Sequence, residues 1–433
     1  MAKYLAAMSR APVSTEQQED ECSNTSSPGA DAQLPGNESG HENPIYGSSF
    51  YIAFAANIAL VVANTMSFRF AELVKFLHGS EETTGRIVSF GLVVSLFIRV
   101  LAGRAMDRFG IRRIWILSGL SFLAGSLWIM LATDLSWSIY VARCIFIVGL
   151  ATMFACSVSH IQQKAPPLRR TEVIGTFGAS GFLGMILGSQ LVDFFFRLIP
   201  DSAFRYQLVF GWIFLMGLFN VCMALWLTSG DTLRPLEDKR SLQALLSTHF
   251  PASILLVTVM MGLGFSVTTV FLTRYATSLH LKGPATFFSA YAITAFSMRF
   301  VARRWSNIMG RHRMIWWGML GHVFGHITLM FVTSDWQLMI PALGCGFGHA
   351  LLFPCIVSLG SGDFPPEHRA TGTTVVLASI DLGTVLTAPL LGYLIDNYGF
   401  RTMFCVSSSL ILTFAVIYAA LKYTAADEEM LAG

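Results

Sequence analysis

Twelve apolar runs occupy most of this chain, each near the roughly 20 residues that a helix needs to cross the hydrocarbon of a bilayer. They fall near 49–76, 84–106, 114–132, 138–160, 172–198, 207–229, 251–278, 284–306, 314–333, 337–359, 370–395 and 400–422. A spanning segment must satisfy its backbone internally, so such runs read as helices. Of the 433 residues, 54% are hydrophobic and 13% charged, where a soluble domain carries roughly 25% charge. The chain is therefore expected to be an all-α membrane protein.

The longest polar break lies at 231–250 and carries Asp231, Arg234, Glu237, Asp238, Lys239 and Arg240. It separates a six-helix bundle over 48–230 from a second over 251–422. Residues 1–47 are rich in Ser, Gly, Pro, Asn and Glu, have no apolar core of a signal peptide, and read as a disordered tail. Residues 423–433 form a short second tail.

The two bundles share an internal repeat. Gly103-Arg104-Ala105-Met106-Asp107-Arg108-Phe109-Gly110-Ile111-Arg112-Arg113 follows the second run. A degraded copy, Arg303-Arg304-Trp305-Ser306-Asn307-Ile308-Met309-Gly310-Arg311-His312-Arg313, follows the eighth. Arg99 aligns with Arg299, Ala102 with Ala302, Arg104 with Arg304, Gly110 with Gly310 and Arg113 with Arg313. Two later loops also correspond, Pro166-Pro167-Leu168-Arg169 and Pro365-Pro366-Glu367-His368-Arg369. A charged hinge at one place in two membrane halves marks a protein built from parallel repeats around a central site.

Lys and Arg counts set the orientation. Loops on the hinge side hold fifteen, those on the other side and their margins seven. Both termini are expected in the cytoplasm, in a plasma (inner) membrane. The net charge of +3, without a dense basic cluster, gives no footprint for nucleic acid. Six of the seven cysteines lie in apolar stretches, and none has metal-ligand spacing.

The first hinge resembles the signature of the major facilitator superfamily, which Gly103, Asp107, Arg108, Gly110, Arg112 and Arg113 fill at every position. In the second copy Arg303 stands for the Gly and Asn307 for the Asp. Arg143, Gly149 and Ala151 match part of an exporter pattern on helix 4. Gly184 and Gly188 match part of an antiporter pattern on helix 5, where Ser189 replaces the Pro. Phe271-Leu272-Thr273-Arg274-Tyr275-Ala276 and Asp381-Leu382-Gly383 look like the branch of the arabinose-efflux permeases and the staphylopine exporter.

The resemblance implies a monomeric secondary active transporter in lipid, with a small-molecule cargo, a proton or other coupling ion, and no cofactor. Proton-coupled efflux is expected. Proton-coupled uptake of a small polar solute, or a sensor that keeps the fold without transporting, are the alternatives. No nucleotide loop or catalytic constellation is visible in the sequence, so an enzyme is not expected. The resemblance also implies a conformational latch, comprising Gly103, Asp107, Arg108, Gly110, Arg112, Arg113, Arg303, Arg304, Gly310 and Arg313. Asp107 can accept from a helix N-terminus or pair with Arg.

Charges inside spans carry a cost, about 2.5–3.5 kcal/mol each if they face lipid at midspan. Arg69, Arg99, Arg143 and Arg299 are such residues. Arg99 and Arg299 read as snorkelling groups or gate ion pairs, Arg143 as a structural group, a substrate contact or a tuner of a proton site. Asp381 and His349 lie at similar depth in helices 11 and 10, and are candidates for proton coupling together with Arg143. Asn57, Asn64, Arg69, Thr268, Thr269 and Tyr275 are candidate cavity residues. His322 and His326 share a face of helix 9 but lack a third ligand nearby in sequence, so no metal site is expected.

Overall fold

A computed structural model describes residues 46–79, 81–231, 241–249, 252–281 and 285–432. The described residues form α1 (Ser48–Phe76), α2 (Glu81–Phe109), α3 (Ile111–Met130), α4 (Trp137–Lys164), α5 (Arg170–Leu198), α6 (Ala203–Leu227), α7 (Ala252–Ser278), α8 (Ala285–Val301), α9 (Arg311–Leu329), α10 (Met339–Gly362), α11 (369–398) and α12 (400–432). Residues 1–45 of the expected tail and 232–240 of the expected linker lie outside the described residues. Three boundaries differ from expectation. Residues 423–432 of the expected second tail continue α12 as helix. Tyr46 is packed against the bundle, and Leu242–His249 of the linker is a short helix that buries Leu245.

The expected spans are all present, and most helices run past their apolar windows at the hinge end. Helix propagation costs little once a helix is nucleated, so charged residues outside the hydrocarbon simply extend it. Gly110 is the single residue between α2 and α3, with φ 84° and ψ 148°. Gly310 before α9 has φ 82° and ψ 152°, and Gly399 between α11 and α12 has φ 82° and ψ 171°. This region of backbone space is essentially open to glycine alone.

The halves repeat each other's packing. α3 lies on α4 as α9 lies on α10, and α1 on α5 as α7 on α11. At the α7–α11 crossing, a Cβ on Gly262 would sit 2.2 Å from the Ile380 carbonyl, so the two backbones touch. Small residues allow this approach, and van der Waals contact then holds helices that no hydrophobic effect drives together in lipid. Phe97, Leu101, Leu117 and Phe331 point outward from the bundle. Trp137 and Trp336, at corresponding helix starts, are exposed at the level of an aromatic belt. Between the halves, α2 meets α11 and α5 meets α8 and α10.

Candidate functional site

The hinge end is held shut by side chains from both halves. Asp107, in the last turn of α2, caps α11: Oδ1 accepts from the Ala370 backbone N–H at 3.1 Å and Oδ2 from that of Thr371 at 2.9 Å. The Thr371 hydroxyl donates to the same carboxylate. A helix N-terminus leaves its first N–H groups unpaired and carries partial positive charge, so a carboxylate satisfies both needs. Gly103 permits this contact. A Cβ there would lie 2.9 Å from the Thr371 Cα and closer still to the Thr374 hydroxyl.

Two further links lie beside it. Gln162 on α4 donates to Ser361 on α10 and accepts from Thr373 on α11 at 2.7 Å. Arg303 reaches across to Glu172 on α5 at 3.4 Å. Glu172 also accepts from Arg169 (2.7 and 2.8 Å) and from the Tyr46 hydroxyl (2.9 Å). Burial pushes the Tyr46 phenol above its ordinary pKa, so it stays a donor.

The rest of the expected latch is looser. Arg104 meets His368 Nδ1 at 3.1 Å, and Arg112 donates to the Leu225 carbonyl at 3.2 Å. Arg108 lies over Phe109, while Arg113, Arg304 and Arg313 are exposed. Gly110 and Gly310 serve as turns. The side chain of Asn307 lies outside the described residues.

Beyond the hinge, a cavity of about 410 Å³ lies between the halves. Asn57 and Asn64 line it, with Arg99, Arg299, His349 and Asp381. Depth alone left open whether the proton-coupling candidates Asp381 and His349 meet. Asp381 does not bond His349; it pairs with Arg99 of α2 at 2.5 Å. His349 Nδ1 meets the Tyr291 hydroxyl at 2.5 Å, inside a cage of Phe182, Phe265 and Phe353. Equal depth did not make a pair, because α2 presents a guanidinium to the carboxylate, and charge-assisted pairing outcompetes a neutral imidazole.

Four other candidates do not reach the cavity wall. Arg69 bonds Glu72 and Asp193, each at 2.6 Å, and so ties α1 to α5. Thr268 and Thr269 bond carbonyls of their own helix, at Gly264 and Phe265, within a π-helical stretch Ser266–Phe271. Tyr275 donates to the Leu329 carbonyl at 2.6 Å. Each hydroxyl has found a backbone acceptor, the default outcome for Ser, Thr and Tyr in a dry helix bundle. Arg143 is also off the wall. It is 6% exposed and lies over Phe70 and Phe146, 4.6 and 5.2 Å from the ring centres.

The sequence model of the Major Facilitator Superfamily matches residues 45–361 and 254–430. The chain belongs to this superfamily. An uncharacterised transporter of the superfamily from Burkholderia mallei is 21% identical over 378 residues, covering 83% of this chain and 89% of the relative. Another, from Pseudomonas aeruginosa, is 25% identical over 150 residues, 34% of this chain, and the match spans only 37% of that relative's length. Solved structures share the fold. The human organic anion transporter MFSD10 (TETRAN) superposes with a TM-score of 0.68 at 14% identity, covering 85% of this chain and 98% of that one. The Escherichia coli fucose:proton symporter FucP gives 0.66 at 18% identity, covering 85% and 98%.

Within this superfamily fold, sequence reasoning missed Glu172, Gln162 and one metal-type cluster. Glu172 had a signal, an acid three residues after Arg169 in a loop that mirrors the capped one. Gln162 had none. His322 and His326 gain the third donor that sequence spacing could not show: Cys345 of α10, all donor atoms lying within 4.8 Å. His326 Nδ1 meets Ser407 Oγ, whose own proton goes to the Phe404 carbonyl. This fixes the tautomer with Nε2 bare. Two imidazoles and one thiol are a donor set that suits zinc with a water in the fourth position, or copper.

Proposed function

We propose that this chain is a proton-coupled secondary transporter that moves a small molecule by alternating access, with export as its direction. The Arg99–Asp381 pair carries this reading. It joins α2 to α11 on the wall of the central cavity, and the Asp107 cap joins the same two helices at the hinge end. A proton arriving at Asp381 neutralises the carboxylate and releases Arg99. The two halves are then tied at fewer points, and the hinge end can open while the far end closes. One charge crossing 100 mV supplies about 2.3 kcal/mol, enough to drive such an exchange.

The partial likeness of helix 4 to the exporter pattern supports outward transport, as does the narrower likeness to the arabinose-efflux and staphylopine-exporter branch. The Lys and Arg count supports a cytoplasmic hinge in the plasma membrane, and the protein is taken as a monomer. A second reading, uptake by proton symport, is favoured by Ser189, which stands where the antiporter pattern has proline. The intact first hinge argues for transport over sensing.

The test is reconstitution in liposomes holding a pH-sensitive dye, with a pH gradient and a panel of small solutes. The wild type is expected to move protons when its solute is added, and Asp381→Asn to carry solute only downhill. Full proton coupling in Asp381→Asn overturns the assignment. Comparing the two vesicle orientations decides between export and uptake.

A further inference from the structure

We propose that Arg299 is the anion-binding residue of the central cavity and that the cargo is a small organic monoanion, a carboxylate on an apolar body. This deepens the transport reading and rests on it for the cavity being the cargo site.

Arg299 is 3% exposed, sits on α8, and lines the cavity. Its Nε and Nη1 have no hydrogen-bond partner. Its neighbours are the rings of Phe182 and Phe353, with centres 5.7 and 5.6 Å away. Gly178 of α5 makes room for it, since a Cβ there would lie 3.2 Å from Cζ. Arg69 has Glu72 and Asp193, Arg99 has Asp381, and Arg303 has Glu172. Among the described residues Arg299 has no such bridge. Arg143 also lacks a carboxylate there and leaves Nε and Nη1 unpaired, but it lies off the cavity wall, so what marks Arg299 is that its unpaired guanidinium faces the cavity. Glu172 shares a small crevice with it, but that carboxylate is occupied by Arg169, Arg303 and Tyr46.

A buried, uncompensated charge is among the costliest features a fold can hold, and ring faces return only a fraction of that cost. A group of opposite charge that comes and goes with the transport cycle accounts for it. The wall carries two guanidinium groups, Arg99 and Arg299, and one carboxylate, Asp381. One negative charge on the cargo balances the set. His349, beside Arg299, offers a second donor at Nε2 when the Tyr291 hydroxyl donates to Nδ1. Leu60, Ile147, Phe154, Phe177 and Phe265 supply apolar wall for the body. Asn57 Oδ1, buried and without a donor, suits a cargo hydroxyl. The volume falls within the range of small-molecule sites.

The test uses the full chain in nanodiscs and follows thermal unfolding with benzoate, phenylacetate and phenyllactate, each against its neutral amide. A ligand that binds the native state raises its apparent stability. At least one carboxylate is expected to raise the midpoint by several degrees while its amide does not. Arg299→Gln is expected to abolish the rise. Arg299→Met without anion is expected to be as stable as the wild type or more so, because it removes a charge that no protein group compensates.

No shift with any of the three carboxylates overturns the proposal. So does a full shift retained in Arg299→Gln. Should Arg299→Met fail to fold, Arg299→Lys replaces it; a lysine variant as stable as wild type but with the wild-type anion response intact also overturns a guanidinium-specific site. Anion binding without proton-linked flux overturns the transport reading alone. Proton-linked flux of a neutral solute without anion binding overturns this inference alone.

Discussion

Asp107 of the first bundle caps the helix that begins at Arg369 in the second, its two carboxylate oxygens accepting the N–H groups of Ala370 and Thr371. At the degraded second hinge, the link the described residues show has the opposite sense. There the hinge supplies the cation, Arg303, and the N-terminal turn of α5 supplies the acid, Glu172. Both links bind the two halves at one end, but with reversed charge.

The cap sets the balance between closed and open hinge ends. Asp107→Asn keeps an acceptor and loses the charge, which costs about 1.5 kcal/mol. The closed-to-open ratio is expected to fall roughly tenfold, while insertion stays intact. Distance measurements between spin labels on the hinge ends of α2 and α11 read the shift. An unchanged distance distribution with normal expression would show that the cap does not hold the closed state.

The Arg99–Asp381 pair faces the cavity, so its contribution lies between that of a buried and an exposed bridge. Asp381→Asn leaves Arg99 without its carboxylate and is expected to cost about 1–3 kcal/mol of stability. Adding Arg99→Gln is expected to restore part of that loss. A double-mutant cycle on thermal unfolding measures the coupling, and purely additive losses would argue against a functional pair.

Glu172 gathers three donors. Glu172→Ala is expected to destabilise by about 2–3 kcal/mol, below the full cost of a stranded buried charge because Arg169 and Arg303 reach water. Tyr46→Phe removes one neutral donor and is expected to cost about 1 kcal/mol. Burial raises the Tyr46 phenol, so its bond contributes below the ordinary tyrosine value of about 10 and fades as pH rises above it. Thermal unfolding against pH checks both size and sign.

Gly110 and Gly310 hold a backbone conformation that side chains avoid. Gly110→Ala and Gly310→Ala are each expected to cost about 1–3 kcal/mol. Neither glycine touches the cavity wall, so cargo binding should persist in whatever fraction folds. Ligand-induced thermal shift separates the two effects; loss of binding at unchanged stability would contradict the assignment of these glycines as turns.

The span pattern, the family and the position of Asp107 at the hinge were legible in the sequence alone, because these depend on local composition and on spacing within one loop. Asn57 and Asn64 were also legible as cavity residues once helix 1 was placed at the centre. What only the tertiary structure decided is which residues meet: Asp381 with Arg99 rather than His349, Glu172 with Arg303, Cys345 beside His322 and His326, and Arg299 with no carboxylate at all. A helix that is apolar on every side carries little periodic signal, so its inward face is not written in its sequence. That face is chosen by how backbones approach at small residues, between segments hundreds of positions apart.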